Sequence, residues 1–282
     1  MANELVVVTA TANLTALGVF LRTVSPQTPV VAVVQRGEGT GSVTAFHGIY
    51  DAHPDYLGVV PAFARGCELA LHAYPEARVI ACLHDDTLVQ DPWEQDVLDY
   101  FESHPRCGLL GFGGAAQLGE NDIHTTPYSP FTLVRKRFMS NMVDAESHGI
   151  RVTTAREIAC LDGFSQIFRR SALEGETGAI GFQEYTSSPT LFHELVNWGV
   201  RHHAYDAATG AFMARLGWET HLLPIRCVHL GGQTAVGDGR YTDWARAQTP
   251  NGDQDFWEQA HQLVYQHLKD ELPIIVPQPE DR

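Results

Sequence analysis

The apolar residues near the start of the chain fall in short unbroken runs. Residues 4–9, Glu-Leu-Val-Val-Val-Thr, and residues 29–34, Pro-Val-Val-Ala-Val-Val, are hydrophobic at successive positions, as in a strand buried on both faces. Between them Leu14, Leu17, Val19, Phe20 and Leu21 follow helical spacing, with Asn13 or Thr15 as the cap. A helix is predicted over residues 60–73 and a strand over 78–83, which His84-Asp85-Asp86-Thr87 terminates. Asp91-Pro92-Trp93-Glu94 reads as a helix start, with Asp91 as N-cap and Pro92 in the first helical position. A fourth strand is predicted over 107–112. Strands that alternate with helices indicate βαβ units and a mainly parallel sheet.

The second part of the chain is less regular. It reads as a loop-rich stretch over 113–130, the basic segment Arg135-Lys136-Arg137, and a strand near 158–161. A helix over 206–216 and a strand over 220–224 follow. The C-terminal helix, residues 253–272, places Phe256, Trp257, Ala260, Leu263, Val264, His267 and Leu268 at helical spacing, and the tail 277–282 is expected to fray. There is no internal repeat and no linker-like tract, so residues 1–282 are expected to form one domain.

Composition narrows the class. With 282 residues, 44% of them hydrophobic, the chain can bury a large core, and no run approaches the roughly 20 apolar residues of a membrane span. The five cysteines are odd in number and form no C-x-x-C pair, so they are expected to be buried thiols in a reducing, cytoplasmic setting. Net charge is −15, the reverse of what duplex binding through phosphates requires. An acidic protein that holds an anionic ligand needs a local device such as a metal ion, an arginine or a helix N-terminus. Lys136 and Lys269 are the only lysines, so nearly all positive charge is arginine.

Four short segments could carry chemistry. Asp85 and Asp86 lie where a strand ends, the place at which ligands gather in an open parallel sheet. Two adjacent carboxylates there suit a hard cation such as Mg²⁺ or Mn²⁺, or else form a solvated turn. His229, ahead of Gly231-Gly232, could bring an imidazole to a metal or could pack as an ordinary histidine. Asp206, after His202-His203-Ala204-Tyr205, stands where a helix begins, either as its N-cap or as a general base facing a cleft. Asp162-Gly163 follows a strand, and Gly163 either permits close approach of a ligand or makes a turn.

In this order the segments resemble the GT-A glycosyltransferases, in particular the inverting family 2-like enzymes, over about residues 4–234. The resemblance implies an α/β fold, a GT-A (Rossmann-like) mainly parallel central sheet flanked by helices, with a C-terminal helix. It divides the chain into a nucleotide-sugar-binding half (1–112), an acceptor and catalytic half (113–240) and a helical extension (241–282). It matches Asp86 to the metal-binding aspartate of the D-x-D motif, Asp85 to its middle position, Asp206 to the catalytic base, and His229 to a histidine on the metal or diphosphate. Thr9, Gln35, Gly58, Arg65, Asp162 and Gly163 fall on the nucleotide side. The sequence departs from the pattern in four places: His84 stands where Asp or Asn is usual, Tyr205 where Glu is, Arg65 where Asn is, and Gln35-Arg36-Gly37-Glu38-Gly39 follows the second strand where an acidic Asp-x-Gly/Ser stretch is usual.

The reaction so implied is a hexosyl transfer from a nucleotide-diphosphate sugar, for instance a UDP-sugar, with Mn²⁺ or Mg²⁺ as cofactor. Asp206 takes the acceptor's proton, and an arginine of the 135–137 segment or Arg65 assists the leaving group. The acceptor is a glycan, a small molecule, a protein or a modified nucleic acid; the chain is expected to be free of membrane spans, and a monomer and a homodimer are both open. A nucleotidyltransferase is a second reading, although residues 9–13, Thr-Ala-Thr-Ala-Asn, lack its glycine-rich basic signature. A noncatalytic sugar- or partner-binding protein of the same fold is a third.

Overall fold

In the computed structural model, which describes residues 4–35, 47–90, 92–119, 138–143, 149–178, 189–230, 239–249 and 253–279, the first apolar runs become central strands. In chain order the elements are β1 (Leu5–Thr11), α1 (Leu14–Phe20), β2 (Val30–Gln35), β3 (Gly48–His53), α2 (Val59–Ala73), β4 (Val79–His84), β5 (Thr87–Val89), α3 (Glu94–Ser103) and β6 (Cys107–Gly111). Then come β7 (Gly113–Ala115), β8 (Gln117–Leu118), β9 (Phe138–Ser140), β10 (Ile150–Arg151), β11 (Arg156–Ile158), β12 (Cys160–Leu161), β13 (Ser165–Arg169) and α4 (Arg170–Leu173). Last are α5 (Leu191–Asn197), α6 (Tyr205–Leu216), β14 (Glu219–Leu222), β15 (Cys227–His229), α7 (Gly239–Gln248), α8 (Asp253–Leu268) and β16 (Ile274–Ile275).

Eight strands form the main sheet in the order β11-β14-β6-β13-β4-β1-β2-β3. Pairing is parallel from β4 through β1 and β2 to β3, and between β6 and β14. β13 runs antiparallel between β4 and β6, and β11 antiparallel at the edge on β14. The sheet is therefore mixed but mainly parallel, as expected. Its two faces carry separate cores. Phe63, Phe168, Phe192 and Phe212 fill one with α2, α5 and α6, while Leu17, Phe20, Trp93 and Phe164 fill the other with α1 and α3. Each fully buried ring contributes roughly 1.5–3 kcal/mol, so the central strands are anchored from both sides.

Several expected boundaries are corrected. The stretch 113–130 begins with two strands: β7 joins a four-stranded sheet with β9, β10 and β12, and β8 pairs with β16. The single strand expected near 158–161 is split, because β11 belongs to the main sheet and β12 to the small one. Helix α3 starts at Glu94 with Trp93 as its cap residue, two positions later than expected, and Asp91 lies outside the described residues. The C-terminal helix ends at Leu268 and tightens into a 3₁₀ turn, Lys269–Glu271. The described part of the tail is docked: Gln278 is buried and its amide donates to the carbonyl of Glu157 at 3.2 Å. The five cysteines are buried thiols, as their spacing implied.

Candidate active site at the end of the central strands

β4 ends in register with β1, His84 opposite Ala10, so the Asp85-Asp86 turn lies at the carboxyl ends of both strands. Right after the turn, β5 pairs antiparallel with β15, setting His229 opposite Thr87. Three-residue strands thus close a gap of more than a hundred residues and place an imidazole beside Asp86. The distances are short: His229 Nε2 lies 3.4 Å and His84 Nδ1 3.9 Å from Asp86 Oδ1. One donor atom from each of the three side chains lies within 4.8 Å of the others, the only such cluster of metal-ligating groups among the described residues. A cation with bonds of about 2.1 Å holds its ligands about 3 to 4 Å apart, so this donor set fits a divalent ion. Asp86 is 6% exposed, and so nearly sealed from bulk water.

Each imidazole is set by its neighbours. His229 stacks on Phe164 at 4.7 Å. His84 Nε2 meets the Tyr205 hydroxyl at 2.6 Å, and burial, followed by the charge on His229, pulls its pKa down to about 4. His84 is therefore a neutral ligand-type imidazole at physiological pH.

The two aspartates have separate surroundings. Asp85 turns inward and accepts from the Thr11 hydroxyl at 2.5 Å. Burial raises its pKa to about 7, opposed by that hydrogen bond and reinforced by Asp86.

Asp206 is in the first turn of α6. The cap residue is Ala204, whose φ of 63° makes it the only described non-glycine residue with a positive φ, and Asp206 accepts from the Ala207 N–H at 2.8 Å. The N-cap role is thus not Asp206's. Its pKa is raised to about 7, by burial first and by Asp162 second. Asp162 acts on His84 as well, which ties the Asp206 end of the site to the cluster electrostatically.

The nucleotide-side residues divide. Asp162 and Gly163 lie against the cluster: Gly163 C=O accepts from Tyr205 at 3.0 Å, and a Cβ on Gly163 would come within 2.2 Å of that hydroxyl. Gly58, with a φ of 89°, is the cap residue of α2, and a Cβ there would lie 2.4 Å from the Arg201 carbonyl. Gln35 Oε1 accepts from the N–H groups of Leu57 and Gly58, pinning that turn. Thr9 is fully buried in β1, and its hydroxyl has no hydrogen-bond partner among the described residues. Arg65 pairs with Asp51 and Glu68 at the β3 edge, three strands from His84, and is not brought to the cluster. The segments 36–41, 120–137 and 231–234 lie outside the described residues, and with them the basic Arg135-Lys136-Arg137 stretch.

No protein-family model and no curated protein matches the sequence. Among solved structures the chain is similar to GalNAc-T7, solved with UDP, GalNAc and Mn²⁺, at a TM-score of 0.52 and 10% identity over 96% of this chain and 57% of that one. It therefore spans little more than half of the GalNAc-T7 chain. It is also similar to the mannosyltransferase PcManGT from Pyrobaculum calidifontis, solved with GDP-Man and Mn²⁺ (TM-score 0.45, 15% identity, 95% of this chain and 71% of that one). A third is S. aureus TarS residues 1–349 (TM-score 0.43, 10% identity, 94% and 70%). The class defined by the fold is GT-A-like, a mainly parallel sheet flanked by helices. Among the described residues no helix is long and apolar enough to cross a membrane.

Proposed function

We propose that this chain is a metal-dependent inverting glycosyltransferase that moves a sugar from a nucleoside-diphosphate donor to an acceptor hydroxyl. The observation that carries the reading is the convergence of His84, Asp86 and His229 at the carboxyl end of β4 in a GT-A-like fold. GalNAc-T7, the neighbour that carries the fold argument, was solved with UDP and Mn²⁺, which supports a nucleotide ligand and a cation in general.

A divalent cation held by the three side chains would supply positive charge at the diphosphate leaving group. The residues of the chain do the rest. Asp206, with a pKa of about 7, is about half ionised at neutrality and basic enough to accept the acceptor's proton. The acceptor oxygen bonds to the anomeric carbon as the bond from that carbon to the diphosphate oxygen breaks. The electron pair leaves with the diphosphate and the proton goes to Asp206. One displacement inverts the configuration, by the geometry that separates inverting from retaining hydrolases. Asp162 and Gly163 would border the donor side of this space, and Asp85 holds the turn through Thr11.

The test is release of a nucleoside diphosphate from UDP- and GDP-sugars offered with Mn²⁺. Turnover that vanishes in Asp86→Ala supports the reading. Release of pyrophosphate instead would favour a nucleotidyltransferase. Binding of a nucleotide sugar without turnover, equal in the parent and Asp206→Asn, would favour a noncatalytic sugar-binding protein.

A further inference from the structure

His84 is held from behind by Tyr205, and the number of protons there fixes which ring nitrogen can face a metal. Tyr205 has one hydroxyl proton. Gly163 C=O, 3.0 Å away, can only accept, so that proton goes to Gly163. The 2.6 Å contact to His84 is then filled by the Nε2–H of the imidazole, which donates to the phenol oxygen. The neutral ring keeps its lone pair on Nδ1, the nitrogen 3.9 Å from Asp86 Oδ1. Gly163 belongs to the same arrangement, because a Cβ there would run into the Tyr205 hydroxyl.

We propose that Tyr205 is a positioning residue that locks His84 in the Nε2–H tautomer and so presents Nδ1 to a divalent cation shared with Asp86 and His229. This rests on the metal reading given above. Groups that fix a ligating histidine through its other nitrogen typically change metal affinity 10–100-fold when removed. The phenol ring, edge-on to Phe63 at 6.1 Å and near Phe192 at 6.4 Å, is packed independently of its hydroxyl, so Tyr205→Phe should keep the fold.

The experiment is a Co²⁺ titration of the full chain, read by visible absorption, for the parent, Tyr205→Phe, His84→Ala and the double variant. Tyr205→Phe is expected to bind Co²⁺ 10–100-fold more weakly with an altered ligand-field spectrum, its far-UV circular dichroism unchanged. On a His84→Ala background the same change should have no further effect, because Tyr205 acts through that ring. Gly163→Ala provides a second route to the same loss by displacing the hydroxyl. Parental affinity and spectrum in Tyr205→Phe, or an effect that persists without His84, overturns the inference and leaves the metal reading standing. No Co²⁺ binding by the parent overturns both.

Discussion

Thr11 and Asp85, at the ends of neighbouring strands β1 and β4, share a buried hydrogen bond in which the hydroxyl donates to the carboxylate. That contact separates two adjacent acidic residues by role, since Asp85 faces inward while Asp86 faces the histidines. Asp85→Asn keeps an acceptor for Thr11 and removes a raised acid. The folded pKa of about 7 exceeds the ordinary 3.8, so the folded state binds this proton more tightly and stability falls as pH rises through that window. The melting temperature of Asp85→Asn relative to the parent, both metal-free, should therefore increase between pH 5 and pH 8. A difference that does not change with pH counts against the assignment.

As the proposed base, Asp206 gives the opposite sign. A base must be unprotonated, so kcat/KM should rise with pH up to about 7 and fall about tenfold per unit below it. Asp206→Asn should lower turnover by about 10²–10⁴-fold and remove that acid limb. Steady-state rates between pH 5 and pH 9 check both statements.

Metal preference follows from the donors. Two imidazoles and one carboxylate suit Mn²⁺ or Co²⁺ better than Mg²⁺, which favours oxygen ligands. Mn²⁺ should bind at least about tenfold more tightly than Mg²⁺, and chelation should abolish turnover. Competition followed by Mn²⁺ electron paramagnetic resonance measures the ratio, and full activity in EDTA would contradict the claim.

Gln166 on β13 is wholly buried, and neither end of its amide has a hydrogen-bond partner among the described residues. Leaving such a group unsatisfied costs about 1–3 kcal/mol. Gln166→Met, similar in length and apolar, should raise the melting temperature by several degrees. Calorimetry checks it, and a lower value would mean that the amide is engaged.

The runs of β-branched residues made β1, β2 and β4 readable, because strands buried on both faces write their burial into consecutive positions. β3 was not readable: Gly-Ile-Tyr-Asp-Ala-His alternates half-buried and exposed positions at the sheet edge and looks like part of a loop. β5 and β15 are three residues each, too short for any periodicity, yet their pairing puts His229 beside Asp86. Asp86 and His229 could be singled out because carboxylates at strand ends and histidines before glycines are chemically conspicuous. The partnership of His84 and Tyr205 could not, since each was only a departure from a motif and 121 residues separate them. Arg65 was placed on the nucleotide side by the resemblance alone, and the unread β3 supplies Asp51, which engages its guanidinium.

The central claim is that His84, Asp86 and His229 together bind one divalent cation. Crystals soaked in Mn²⁺ and measured at the manganese absorption edge test it directly. The account predicts one strong anomalous peak within bonding distance of His84 Nδ1, an Asp86 carboxylate oxygen and His229 Nε2. A saturating soak that leaves this position without a peak, or places the ion on other side chains, would contradict it.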